Sequence, residues 1–233
     1  MANTKTGIEW TDKSWNPTTG CDKISLGCTH CYAEEITKRF PNNFLNGFNL
    51  TLHPERLTTP LSWKKPSKIF VNSMSDLFHK DVPIEFIKQV FDICKQTPWH
   101  TYQILTKRHE RLLELAPQLE WHPNIWMGVS VERQDYAHRI DYLRQVPAKI
   151  KFLSCEPLLG ALSNLDLTDI HWVITGGESG AKHRPINAEW VRSIRDQCQA
   201  ANVPFFFKQW GGRTSKAGGN ELDRQVYQEF PKS

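Results

Sequence analysis

Short apolar runs recur along the chain, and most of them end in polar or small residues. A weak one spans Ile8 to Trp15. It is followed by Ile69 to Asp76, Tyr102 to Lys107, Ile125 to Glu132, Ile150 to Glu156, Trp172 to Glu178 and Pro204 to Trp210. Each is short and rich in β-branched or aromatic residues, as a strand buried on both faces should be. Helical spacing appears between them. Over Ile84 to Lys95 it puts Phe86, Ile87, Val90, Phe91 and Cys94 on one face, with Pro83 where a first turn tolerates proline. His109 to Leu115, Gln134 to Leu143 and Ala188 to Ala201 are the other expected helices, and Arg133 to Tyr142 is charged enough for a surface helix. Strand–helix alternation repeated this often implies a parallel sheet with right-handed crossovers. The expected fold is α/β, a full or partial (β/α) barrel of six to seven parallel strands; a flat doubly wound sheet is the alternative. Residues 1–211 are expected to form the barrel domain. An insertion rich in Pro, Asn and Lys interrupts it at about 40–68, and 212–233 form a polar, loosely packed C-terminal extension.

Function in a parallel barrel gathers at the carboxyl ends of the strands. Polar residues fall there in series: Asn72, Ser73, Ser75, Asp76 and His79; Thr106, Lys107 and Arg108; Ser130 and Glu132; Ser154 and Glu156; Thr175 to Ser179; Lys208 and Gln209. Any one of them could be a helix cap, but the set converging on one rim makes a charged, hydrogen-bonding pocket. Lys107, Glu132, Glu156, Glu178 and Lys208 are the candidate catalytic groups. Five buried charges without partners would be costly, so two lysines are expected to serve three acids. Lys107-Arg108 suits a phosphate or a carboxylate, with Lys107 the inward residue. The run Gly176-Gly-Glu-Ser-Gly180 has neither dinucleotide-fold nor P-loop spacing; pocket lining and a tight turn both remain open for it.

Composition narrows the picture less. The chain has 233 residues, 39% of them hydrophobic, enough for a packed core. It contains no apolar run long enough for a membrane span, and its first residues have no apolar leader core, so a cytoplasmic protein without membrane contact is expected. A net charge of +4 permits nucleic-acid binding without arguing for it.

Cysteine spacing carries more. Cys21, Cys28 and Cys31 form a C-x6-C-x2-C triplet next to Gly27 and Tyr32, after the first strand. Soft thiolates select zinc, copper(I) or iron–sulfur centres. Structural zinc and electron-transfer [4Fe–4S] clusters usually take four protein ligands, so three thiolates leave one coordination position for a cofactor or substrate. Zinc with His30 or His53 as fourth ligand is the competing reading. Cys94, Cys155 and Cys198 are scattered through expected helices and strands, and a disulfide framework is not expected in a reducing compartment.

A three-cysteine loop after the first strand of such a barrel resembles the radical S-adenosylmethionine (SAM) enzymes, although their usual spacing is C-x3-C-x2-C. The blocks Ile8-Glu-Trp-Thr-Asp12, Trp15-Asn-Pro-Thr-Thr-Gly-Cys21, Asn72-Ser-Met-Ser-Asp-Leu-Phe-His79, Leu105-Thr-Lys-Arg108, Gly176-Gly-Glu-Ser-Gly180 and Phe206-Phe-Lys-Gln-Trp-Gly211 resemble a phage-associated, largely uncharacterised family regarded as radical-SAM-like. The resemblance implies a [4Fe–4S] cluster on Cys21, Cys28 and Cys31, with SAM on the open iron. It further implies a 5′-deoxyadenosyl radical that abstracts hydrogen from a nucleotide, nucleic acid or other small substrate, and an electron donor of flavodoxin or ferredoxin type. Tyr32 would sit near the adenine. Asn72, Ser73, Asp76 and Ser130 would help to bind the cofactor, with Asp76 the acid for the methionyl amine. A non-catalytic nucleic-acid-binding or zinc-binding phage accessory protein is the alternative.

Overall fold

The computed structural model describes residues 6–214 and 216–232. Seven strands form one parallel sheet: β1 (Lys13–Trp15), β2 (Lys68–Val71), β3 (Thr101–Thr106), β4 (Ile125–Ser130), β5 (Ile150–Cys155), β6 (Trp172–Gly176) and β7 (Phe205–Gln209). Their order in the sheet is their order in the chain. A doubly wound sheet needs a point where the strand order reverses, and this sheet has none. The result is an open, partial (β/α) barrel. The helices are α1 (Tyr32–Arg39), α2 (Ile84–Gln96), α3 (His109–Leu115), α4 (Arg139–Arg144) and α5 (Ala188–Ala200).

Alternation along the strands sorts side chains between two cores. Ile69, Val71, Tyr102, Ile104, Met127, Val129, Leu153, Val173, Phe205 and Phe207 face outward and pack with Phe86, Val90, Leu112, Ile140 and Val191 of the helices. Phe70, Trp126, Phe152, Trp172, Ile174 and Phe206 face inward and join Trp10. Trp172 is the hub, with Trp10, Trp126 and Phe206 edge-on at 6.3, 6.0 and 6.0 Å. The lower barrel is thus an aromatic plug.

Two sequence expectations change. Gln134 to Leu143 is not one surface helix: a 3-10 turn at Gln134–Tyr136 precedes α4. Arg139 is 3% exposed because its guanidinium turns inward to a buried acid, described below. The C-terminal segment is not loosely packed. Phe207 N–H donates to the Tyr227 carbonyl at 2.9 Å and Trp172 Nε1 to the Glu229 carbonyl at 2.8 Å, while Leu222 and Tyr227 enter the outer core. The segment runs antiparallel along β7, satisfying backbone groups that an edge strand would otherwise leave unpaired. Phe230 then lies against Trp172 and Phe206.

Candidate functional site

The inward alternation continues past the strand ends and places the charged set. Gln103 and Leu105 on β3 lead to Lys107, and Trp126 and Ser130 on β4 lead to Glu132. Phe152 and Ser154 on β5 lead to Glu156, Trp172 and Gly176 on β6 to Glu178, and Phe206 on β7 to Lys208. Above the aromatic plug the interior therefore becomes polar.

Each acid there has a cation. Glu132, fully buried, lies 3.5 Å from Lys107 Nζ and 2.8 Å from Arg139 Nη1. Arg139 also donates to the Ser130 carbonyl at 2.7 Å. Glu156 pairs with Lys208 at 3.0 Å and accepts from Ser154 Oγ at 3.2 Å. Glu178 accepts from Nε and Nη2 of Arg184 at 2.9 and 2.5 Å and from the Arg184 backbone N–H at 2.9 Å; His30 Nδ1 lies 3.2 Å away. Burial pushes the Glu178 carboxyl up, but these Arg184 bonds outweigh it and hold the group below the usual carboxylate range. Two lysines serving three acids is thus half the arrangement, with Arg139 and Arg184 supplying the rest. The excess of acids was the sequence signal for further cations, but nothing marked which arginines would supply them.

The cysteine loop lies over this rim. Cys21 leaves β1 through Gly20, whose N–H donates to the Met74 carbonyl at 2.9 Å. Cys28 ends a 3-10 turn, and Cys31 is the N-terminal cap of α1. Ser25 Oγ donates to Glu132 Oε1 at 2.6 Å and lies 3.6 Å from Cys28 Sγ. A Cβ on Gly27 would collide with the Glu132 carboxylate, so only glycine lets the loop settle there. His30, between Cys28 and Cys31, reaches Glu178. The loop is therefore tied to the rim at two acids, and Lys107, Glu132 and Glu178 converge beneath the cysteines.

The three thiols are free and partly exposed. Burial pushes the Cys21 thiol up to about 12, with the Asp76 charge adding to it and the Arg108 guanidinium, 3.9 Å from the sulfur, opposing. Burial raises Cys31 too, against the N–H groups of Ala33 and Glu34 at the start of α1. Donors thus already point at sulfur, an arrangement that suits bound thiolates. Among the described residues, the group of three metal-type ligand atoms within 4.8 Å of one another is Asp22, His79 and Asp81, not the cysteines. Either proposed fourth zinc ligand is engaged: His53 Nε2 is 2.8 Å from Thr19 Oγ1 and its Nδ1 3.1 Å from Glu55, and His30 meets Glu178. In the Asp22–His79–Asp81 group, Lys80 Nζ already lies 3.4 Å from the Asp22 carboxylate.

The polar residues after β2 have other work than facing a ligand. Asn72 adopts a left-handed backbone (φ 60°) and commits its amide to the Thr18 backbone N–H and hydroxyl at 3.3 and 2.9 Å. Ser73 Oγ donates to Asn16 at 3.2 Å, and the Ser73 carbonyl accepts from the half-exposed Tyr32 hydroxyl. Asp76 accepts from Thr106 Oγ1 at 2.7 and 2.9 Å and from the N–H groups of Phe78 and Lys107 at 3.0 and 3.1 Å. It clamps the end of β2 to the end of β3 and so positions Lys107. Asp76→Ala strands three buried donors, so the expected result in urea unfolding is a loss of about 3 kcal/mol. An unchanged midpoint with weakened SAM binding would return Asp76 to the role of cofactor ligand. The glycine run after β6 also resolves: a Cβ on Gly177 would strike the Trp210 carbonyl, so Gly177 serves the close approach of two chain segments.

Sequence comparison matches residues 5–231 to the family described as "Protein of unknown function (DUF5131)". The chain belongs to this family. A comparison with curated proteins finds no match. Among solved structures, spore photoproduct lyase complexed with dinucleoside spore photoproduct is similar with a TM-score of 0.51 at 11% identity, over 84% of this chain and 64% of that one. A mutant of that enzyme with dinucleoside spore photoproduct gives 0.54 at 12%, and another with bound AdoMet and dinucleoside spore photoproduct gives 0.51 at 12%, both with the same coverage. At this identity the likeness shows a shared fold, and the DUF5131 chain spans less than two thirds of the lyase's length. No helix among the described residues is long and apolar enough to cross a membrane.

Proposed function

We propose that this protein is a radical S-adenosylmethionine enzyme whose Cys21, Cys28 and Cys31 hold a [4Fe–4S] cluster at the mouth of the half-barrel. The observation that carries the reading is the placement of three free thiols on a loop tied to the rim acids Glu132 and Glu178, with Arg108 already aimed at the Cys21 sulfur. When bound, the cluster and SAM would supply one-electron cleavage of the sulfonium and a 5′-deoxyadenosyl radical for hydrogen abstraction. The chain's own residues do the remaining work. Arg108 donates toward the Cys21 sulfur, and His30 and Ser25 fix the loop to Glu178 and Glu132. Lys107, Glu156 and Lys208 present polar groups to a substrate, Ser130 and Tyr32 border the cofactor space, and the plug around Trp172 closes the barrel below. The likeness to a lyase complexed with dinucleoside spore photoproduct supports a nucleotide or nucleic-acid substrate; an electron donor of flavodoxin or ferredoxin type belongs to the same proposal.

The test is anaerobic reconstitution with iron and sulfide, reduction with dithionite, and chromatography for 5′-deoxyadenosine after SAM is added. Slow formation without any substrate is expected. A protein carrying a full cluster that releases none would end this reading.

A further inference from the structure

Beside the rim, between the loops after β2 and β3 and the start of α4, lies a cavity of about 320 Å³. Five cations line it, Lys80, Lys107, Arg108, Arg111 and Arg139, against a single lining carboxylate, Glu110; Ile24 of the cysteine loop closes one side. Four carboxylates, Glu110, Asp22, Asp76 and Glu132, face the five cations, so neighbouring acids offset this set only in part. Lys107 and Arg139 share one carboxylate, Glu132. Lys80 reaches the exposed Asp22 at 3.4 Å. Arg108 comes no nearer than 4.0 Å to Asp76, whose oxygens already accept from Thr106, Phe78 and Lys107. Arg111 donates Nη2 to the Val82 carbonyl at 2.8 Å and, among the described residues, makes no ion pair. An anion in the cavity would complete the pairing of these cations.

The surplus selects the anion. SAM brings one carboxylate and no phosphate, so it would use at most one or two of these cations. Guanidinium groups match phosphate oxygens bidentately, and lysine adds a point charge. We infer that this cavity is a phosphate site, which holds a nucleotide unit of the substrate, free or within a strand, next to Lys107 at the barrel mouth. The inference rests on the radical-enzyme reading for its chemistry but not for its binding, because the cations are in place without cluster or SAM.

The experiment is fluorescence anisotropy of a fluorescein-labelled single-stranded oligonucleotide with the full chain, without SAM, over a salt series. Lys80→Gln and Arg111→Gln should each weaken binding about five-fold at low salt and lower the log–log salt slope by about 0.7. Glu110→Gln should tighten it. The double variant Lys64→Gln/Lys65→Gln, which removes two charges from a distant exposed segment, should stay within about two-fold of wild type. Adenosine monophosphate and adenosine separate the sources: competition by the monophosphate alone identifies a free nucleotide as sufficient, and no competition by either identifies the strand. Melting curves guard against misfolding, and Lys80, being exposed, gives a variant that folds even if Arg111→Gln does not. If the cavity variants weaken binding no more than the Lys64/Lys65 control, the site is rejected. A positive 5′-deoxyadenosine assay beside that result would leave the radical-enzyme reading standing.

Discussion

Replacing any one of Cys21, Cys28 or Cys31 by Ala is expected to leave the protein, after iron–sulfur reconstitution, without brown absorbance near 400 nm and without 5′-deoxyadenosine formation. Each of the three is the sole candidate for its iron: no other cysteine is near, and His30 and His53 are held by Glu178 and by Thr19 and Glu55. Cys94→Ala, Cys155→Ala and Cys198→Ala should leave the absorbance intact. Those thiols are buried in the outer core, where desolvation raises their pKa and disfavours the thiolate that metal binding requires. Iron and sulfide assays on all six variants make the comparison. Stoichiometric zinc without iron in the wild type, or a cluster that survives Cys28→Ala, would show that the triplet does something else.

The barrel was legible because strands covered on both faces need apolar residues at every position, and six such runs stand clear of their surroundings. The expected ends were less accurate. Ile69 to Asp76 reads as one run, yet β2 stops at Val71, because Asn72 leaves the extended region and spends its amide on Thr18. Beyond β4 and β5 the inward alternation outlasts the hydrogen-bonded ladder, which is why Glu132 and Glu156 sit over the interior although neither is in a strand. The tail defeated composition. Leu222, Val226, Tyr227 and Phe230 are scattered among polar residues without a periodic pattern, and the unpaired edge of β7 and the open floor around Trp172 give Leu222, Tyr227 and Phe230 a place.

The charged site shows the same division. Acids at strand ends are fixed by register, so position alone identified Glu132, Glu156 and Glu178. Their arginine partners come from elements with no register to the sheet: Arg139 starts α4 and Arg184 lies in the loop before α5. Arg139 also sits in a charged stretch whose pattern imitates a solvated face. Asp76 misleads in the opposite direction. It looks free beyond the end of β2, but Thr106 and Lys107, far along the chain, take up its oxygens. Contacts between loops leave no periodic trace, which is why Gly27 signals only a neighbour of cysteine until Glu132 is found beneath it.

Glu132 is the residue on which these contacts meet, and its loss should carry the largest stability cost in the protein. Its side chain is wholly buried, and one carboxylate answers Arg139, Lys107 and Ser25 together. Glu132→Gln keeps the shape and removes the charge. Arg139 is then a cation at 3% exposure without a counter-ion, and breaking a buried pair from one side costs about 3 to 5 kcal/mol. The double variant Glu132→Gln/Arg139→Met removes the stranded charge and should regain most of that loss, because a buried pair taken out whole is close to neutral. Urea unfolding of the two single variants and the double gives the coupling. The same change should move function in two directions: the cysteine loop loses its anchor through Ser25 and loads less iron, while the adjacent cavity becomes more cationic and binds the oligonucleotide more tightly. A Glu132→Gln variant as stable as wild type, or a double variant no better than the single, would mean that Arg139 takes its stability from the Ser130 carbonyl and the Tyr136 ring instead.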